Sequence, residues 1–137
     1  MAPDCKIIAL KILDKKGSGD KDSLLDACDW VKHNRHKYGI KIVNISIGSD
    51  TSDCDEEKNE VASAINLLWA LGLTLVVSAG NSGPGPGTIT FPGTCENVIT
   101  VGSDALLLRS DGSSFSSHSG EGPTKCNISK PDLLAPG

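Results

Sequence analysis

Residues 73–83 read LTLVVSAGNSG, an apolar run that stops abruptly at a loop rich in glycine. Residues 73–79 have the length and the branched aliphatic content of a strand that is covered on both faces. The next residues carry Asn81, several glycines and two prolines, with no helical pattern. A loop of this composition is either a plain turn or a place where the backbone approaches a ligand closely.

The segments around this run alternate between strand and helix patterns. Strands are predicted over residues 6–13, 40–47 and 97–102, in addition to 73–79. One helix is predicted after residues 17–19, with Asp20 or Asp22 as its cap and Gly39 as its end, and a second over residues 53–71 that ends at Gly72. The apolar positions at helical spacing are Leu24, Cys28 and Val31 in the first helix and Val61, Ile65 and Leu68 in the second.

This alternation is typical of an open, mainly parallel, doubly wound α/β sheet with helical crossovers. The length of 137 residues suits one domain. Residues 106–108 and 113–116 bracket Ser110-Asp111-Gly112, which predicts a short C-terminal hairpin.

Composition excludes several function classes. The formal net charge is -4 and no basic stripe with interleaved aromatics occurs, so a nucleic-acid partner is not expected. The apolar runs are too short to cross a bilayer. The five cysteines include no C-x-x-C pair, which argues against a zinc ribbon and a closed disulfide framework and favours free thiols.

Asn81 comes just past the carboxyl end of the predicted third strand, the edge at which open α/β sheets bind ligands. A phosphate cradle would need a helix N-terminus and usually a lysine, whereas Pro84 and Pro86 follow here. A side-chain amide held at a strand end can instead stabilise an oxyanion. Asn-Ser-Gly can also be only a turn, because asparagine tolerates the left-handed backbone. These residues alone leave the last two interpretations open.

Six motifs in one order bear on that choice. They are VNISIG at 43–48, AGNSG at 79–83, FPG at 91–93, VITVG at 98–102, SFSS at 114–117 and KPDLLAPG at 130–137. Over nearly the whole chain this series resembles the subtilisin-like serine proteases (the subtilase, or peptidase S8, family). Residues 1–137 would then be the central part of a subtilase catalytic domain, with a partial subtilisin-like fold.

The resemblance also implies roles for individual residues and a peptide or protein substrate. Asn81 would donate to the oxyanion of the tetrahedral intermediate. Ser46, Ile47 and Gly48 would form a strand edge that pairs with the substrate backbone. Ala79 and Gly80 would form one wall of the pocket for the residue before the scissile bond, with Thr90 near its floor. A cis peptide bond is expected between Phe91 and Pro92.

The departures from the family pattern concern the catalytic triad. The Gly-Thr-Ser-Met-Ala, His-Gly-Thr and Asp-Ser/Thr-Gly motifs do not occur, and Asp50-Thr51-Ser52 lacks the required glycine. The segment by itself is therefore expected to be inactive. It is also expected to expose core surface and so to self-associate.

Two alternatives to a peptidase remain. One is a non-catalytic subtilase-like domain that binds peptides. The other is a small-ligand domain of the flavodoxin kind, for which residues 14–19 are the only candidate phosphate loop and have the composition of a solvated turn.

No cofactor and no metal site are expected within this segment. Calcium is possible in the parent protein but is not assignable here: the acidic run at residues 50–57 has the composition of a solvated stretch before a helix. His33 and His36 stand near a helix end without further ligands, and His118 is expected to be exposed. The family tendency favours a secreted or cell-envelope location, although five unpaired-looking cysteines leave an intracellular one open.

Overall fold

The computed structural model describes residues 2–49, 60–103 and 118–136. In chain order the elements are α1 (Lys21–Tyr38), β1 (Ile42–Ile45), α2 (Glu60–Ala70), β2 (Thr74–Ser78), β3 (Ile99–Ser103) and β4 (Leu133–Ala135). The strands form one sheet in the order β1-β2-β3-β4, and every neighbouring pair is parallel. The predicted α/β class with a parallel sheet is confirmed.

Helix α1 begins and ends where its sequence predicts. The Asp20 carboxylate accepts a 2.7 Å hydrogen bond from the Ser23 N–H, which satisfies one of the free donors of the first turn. Gly39 ends the helix with φ of 64°, a left-handed conformation that costs glycine little. Leu24, Cys28 and Val31 are buried along one stripe.

Helix α2 and strand β2 form the centre of the core. Val61, Ile65 and Leu68 are buried on the inner face of α2, as expected, and Gly72 ends the helix with φ of 83°. In β2, Leu75 and Val77 are buried and alternate with partly exposed neighbours. Helix α2 packs on both β2 and α1, so the apolar positions of both helices enter one continuous cluster.

One predicted strand is absent, and one observed strand was not predicted. Residues 6–13 form no strand, and Ile7 is 88% exposed. A strand is stable only when a neighbour satisfies its backbone, and an apolar pattern carries no information about that neighbour. Conversely, β4 was not predicted: its three residues are too few for a periodic signal, and its pairing with β3 creates it.

Strand β1 lies at the edge of the sheet and is only partly buried. Within the described residues only β2 pairs with it, and Ile42 is 65% exposed. Beside it lies an apolar groove of about 390 Å³, lined by residues 10–13, by Leu24, Cys28 and Val31 of α1, and by residues 43–47. This groove and the exposed edge form the uncovered side of the core.

The cysteines are not all free, which corrects the sequence interpretation. Cys126 is disulfide-bonded, whereas Cys5, Cys28 and Cys95 are not part of a disulfide. Cysteines far apart in sequence meet only through tertiary structure, so spacing did not reveal the bond.

Three predictions lie outside the described residues: the C-terminal hairpin, the acidic run at 50–57 and the first part of the second helix. In the described residues, neither helix is both long and apolar enough to cross a membrane.

Candidate functional site

The predicted site segments leave neighbouring strands at the same edge of the sheet. Ile45, the last residue of β1, is aligned with Val77 of β2. Residues 46–48 and 79–81 therefore emerge side by side at the carboxyl ends of two paired parallel strands. Ser46 and Gly48 are exposed, and the Ser46 hydroxyl accepts a 2.8 Å hydrogen bond from Asn44 Nδ2.

A third segment, at Thr90 and Phe91, links these two. The Thr90 N–H donates to the Ala79 carbonyl at 3.1 Å. Phe91 and Ser49 exchange two backbone hydrogen bonds of 2.9 and 3.1 Å in an antiparallel bridge. The Phe91–Pro92 peptide bond is cis, as the resemblance predicts. The three segments therefore form one hydrogen-bonded unit.

The Thr90 side chain lies between the backbones of Gly48 and Gly80. A Cβ built on Gly80 would lie 2.8 Å from Thr90 Cγ2 and 2.9 Å from its Cβ, and one on Gly48 would lie 3.3 Å from the same Cβ. Thr90 itself is only 8% exposed. Glycine is thus required at both positions because the threonine already occupies the space.

The loop that carries Asn81 is held in place from one side. Gly80 has φ of 86°, and its carbonyl accepts a 3.1 Å hydrogen bond from the Gly120 N–H. The Gly83 N–H donates to the His118 carbonyl at 3.0 Å, and a Cβ on Gly83 would lie 2.7 Å from the Ser119 carbonyl carbon. The close approach that this glycine-rich loop suggests is therefore to the protein's own backbone.

The conformation of Asn81 bears on its turn interpretation. Among the described residues the one non-glycine with positive φ is Asn127, so Asn81 does not occupy the left-handed region that would favour asparagine. Its side chain is exposed and has no hydrogen-bond partner within the described part of the chain. The left-handed position belongs to Gly80, and the exposed amide of Asn81 is accessible to a bound molecule.

An ion pair between a buried lysine and a partly exposed aspartate was not found from the sequence. Lys130 Nζ donates to Asp132 Oδ2 and to the Val98 carbonyl, both at 2.7 Å, and Asp132 Oδ2 also accepts from the Thr100 N–H at 2.6 Å. Burial alone would raise the pKa of Asp132, but the hydrogen bonds from Lys130 and Thr100 and the lysine charge outweigh it and lower the pKa. The KPD motif was noted, but its ion pair depends on how β4 packs on β3.

The remaining candidates do not form sites. The Asp14 carboxylate accepts from the N–H groups of Lys16 and Ser18, so the loop at 14–19 already holds an anion of its own and is a turn. On α1, His33 Nδ1 lies 3.1 Å from the Asp29 carboxylate, and His36 belongs to the last turn. No set of three histidine, cysteine or acidic residues in the described ranges is arranged to hold a metal ion.

Comparison with known proteins identifies relatives over the whole chain. The model of the subtilase family matches residues 1–137. The serine protease AprX of Bacillus subtilis (strain 168) is 37% identical over 142 residues, which cover 99% of this chain and 32% of AprX. The minor extracellular protease Epr of the same organism is 38% identical over 101 residues, which cover 74% of this chain and 14% of Epr.

A solved structure supports the same fold. The structure of sphericase superposes with a TM-score of 0.70 at 28% identity, over 92% of this chain and 41% of that one. The chain thus spans well under half of the length of each of these proteins.

Proposed function

The chain belongs to the subtilase family, and from that membership we propose that it is the central part of the catalytic domain of a serine endopeptidase. The full-length protein would hydrolyse peptide bonds in peptide or protein substrates. AprX and Epr, which this chain resembles, are named as proteases.

One observation carries the proposal: the solvent-exposed amide of Asn81 lies beside a strand edge at the carboxyl ends of β1 and β2. Asn81 is exposed, its backbone avoids the left-handed region, and its loop is hydrogen-bonded to residues 118–120. A preorganised donor of this kind stabilises the negative charge that develops on a carbonyl oxygen during acyl transfer.

The strand edge at residues 46–48 would bind the substrate backbone. Ser46, Ile47 and Gly48 continue the outer strand β1, so an extended peptide can add to this edge through backbone hydrogen bonds. The side chain of the residue before the scissile bond would then enter between Gly48 on one side and Ala79-Gly80 on the other, above Thr90.

The chemistry needs no cofactor, because a serine nucleophile and a histidine base suffice for acyl transfer. The motifs that supply them do not occur in these 137 residues. Within the chain, Asn81 is the residue that we assign to catalysis. The residues that we assign to substrate binding are Ser46, Ile47, Gly48, Ala79, Gly80 and Thr90.

We also propose that the protein acts outside the cytoplasm. The disulfide at Cys126 is a bond that persists mainly in oxidising compartments. The name of Epr describes an extracellular protein.

The test is to replace Asn81 by Leu and by Gly in the full-length protein. Both variants lose the amide, but Gly keeps every backbone conformation that a turn needs. We expect kcat to fall roughly 10²- to 10³-fold in both, the size of the loss when one such donor is removed from subtilisin, a member of this family. KM and the melting temperature should change little.

An unchanged kcat in the Gly variant would show that Asn81 is only a turn residue. Peptide binding without any turnover by the wild-type protein would instead favour a non-catalytic peptide-binding domain.

A further inference from the structure

The segment at residues 118–120, which holds the glycine-rich loop from one side, is itself joined to the sheet by a side chain. The half-buried Ser119 hydroxyl accepts a 2.9 Å hydrogen bond from the N–H of Ser103, the last residue of β3. The same hydroxyl lies close to Gly102, where a Cβ would be 3.2 Å from Ser119 Oγ. The Ser119 side chain therefore packs on the carboxyl end of β3.

The same segment packs tightly against the loop that follows β2. Gly120 is buried, and its N–H donates to the Gly80 carbonyl at 3.1 Å. A Cβ on Gly120 would lie 2.8 Å from the Ile89 Cα and would overlap the Ala79 carbonyl oxygen. Because backbone contacts backbone here with no free space, a shift of residues 118–120 displaces the loop as well.

These contacts complete a closed ring around the end of the sheet. Strands β2 and β3 are joined beside the loop by the hydrogen bond from the Ala79 N–H to the Val101 carbonyl, at 2.9 Å. From the end of β3 the ring continues through Ser119 and returns to Gly80, the residue before Asn81. Ser119 supplies a side-chain link in this ring, which a substitution can remove without changing the backbone.

The consequence rests on the proposed function, in which Asn81 donates to the oxyanion. We propose that Ser119 is a positioning residue: its hydroxyl fixes residues 118–120 to β3 and thereby holds the Asn81 amide where the oxyanion forms. Such a donor is effective only when it is preorganised at that point, and a displacement of about 1 Å can cost about 10²-fold in rate. Loss of the Ser119 hydroxyl should therefore lower kcat much more than it raises KM.

The test measures kcat and KM of Ser119→Ala in the full-length protein, with titrated active sites and a melting curve for each variant. Alanine removes the acceptor of the Ser103 N–H, so kcat should fall at least about fivefold, but by less than the roughly 10²- to 10³-fold expected for Asn81→Gly. Ser119→Thr keeps a hydroxyl and should retain most of the wild-type kcat.

The double variant Asn81→Gly/Ser119→Ala gives a readout that a purely structural role would not change. Once the amide is gone, Ser119 has no donor to position, so Ser119→Ala should change kcat by less than about twofold in the Asn81→Gly background. Thr124→Val is the matched control, because Thr124 Oγ1 also accepts a backbone N–H, from Ile128 at 3.1 Å, but within its own turn. This variant should lower the melting temperature without changing kcat.

The outcomes separate this inference from the proposed function. If Asn81→Gly is impaired, a wild-type kcat in Ser119→Ala, or the same loss in both backgrounds, overturns the positioning role alone. A kcat in folded Ser119→Thr as low as in Ser119→Ala, or an equal fall in Thr124→Val, also overturns it. An unchanged kcat in Asn81→Gly, or no inhibitor-sensitive cleavage of casein by the wild type, refutes the proposed function and this inference with it.

Discussion

Asp132→Ala should destabilise the protein because it leaves a buried positive charge without its carboxylate partner. The Lys130 side chain is 3% exposed, and its ammonium group has two acceptors, Asp132 Oδ2 and the Val98 carbonyl, each at 2.7 Å. Removing the carboxylate leaves the charge with one neutral acceptor. It also leaves the Thr100 N–H without its 2.6 Å side-chain partner.

The expected size is about 3 kcal/mol in the free energy of unfolding. Removing one member of a buried ion pair costs about 3–5 kcal/mol. The lower end applies here, because the Asp132 side chain is 38% exposed and water can replace part of its interaction with Lys130. Denaturation by urea, followed by circular dichroism on the inhibited full-length protein, measures this loss.

The double variant Lys130→Met/Asp132→Ala provides the decisive comparison. Methionine is of similar length but carries no charge, so the double variant should be more stable than Asp132→Ala alone. If the losses in the free energy of unfolding from the two single changes simply add, the unpaired lysine charge is not the cause of the destabilisation, and the reasoning is refuted.

The lowered pKa of Asp132 also predicts how this stability difference changes at low pH. A carboxyl whose folded pKa lies below its unfolded value of 3.8 stabilises the protein above that value and loses its contribution as the pH falls through the folded pKa. The difference in the free energy of unfolding between the wild type and Asp132→Ala should therefore be constant near neutrality and decrease below about pH 4.

Three further outcomes are expected. Burial raises the pKa of Cys28 to about 11, so iodoacetamide at pH 8 should label the exposed Cys5 in the native chain but Cys28 only after unfolding; rapid native labelling of Cys28 would contradict its burial. The isolated 137-residue chain should self-associate through the β1 edge and the adjoining groove, and Ile42→Lys should weaken this; a strictly monomeric wild-type chain in light scattering at high concentration would count against it. The same isolated chain should not hydrolyse a chromogenic peptide, and inhibitor-sensitive turnover by purified material would show that these 137 residues contain a catalytic nucleophile.

The helices and the inner strands could be predicted mostly from interactions between residues that are close in sequence. The cap at Asp20, the left-handed ends at Gly39 and Gly72, and the stripe Leu24, Cys28 and Val31 each depend on neighbours within a few residues. Strand β2 could be predicted because its central residues form a short run of branched aliphatic side chains, of which Leu75 and Val77 are buried. The position of Asn81 at a strand end followed directly from that prediction.

Features that depend on distant partners were decided only by the tertiary structure. Residues 6–13 have the composition of a strand, but a strand requires hydrogen bonds from a neighbour, and sequence pattern does not report whether one lies alongside. Strand β4 and the hydrogen bonds that join Lys130 to Val98 and Asp132 to Thr100 form for the converse reason, because segments distant in the chain meet. The spacing of the cysteines likewise did not reveal the disulfide at Cys126.

The site divides in the same way. The sequence by itself determined which residues stand at the carboxyl ends of the strands and, through the family motifs, which of them are candidates for the site. The tertiary structure decided that Thr90 fills the space between Gly48 and Gly80, and that its hydroxyl is left without a partner among the described residues. That placement depends on atoms contributed by three segments up to 42 residues apart, from Gly48 to Thr90, whose packing no local pattern encodes.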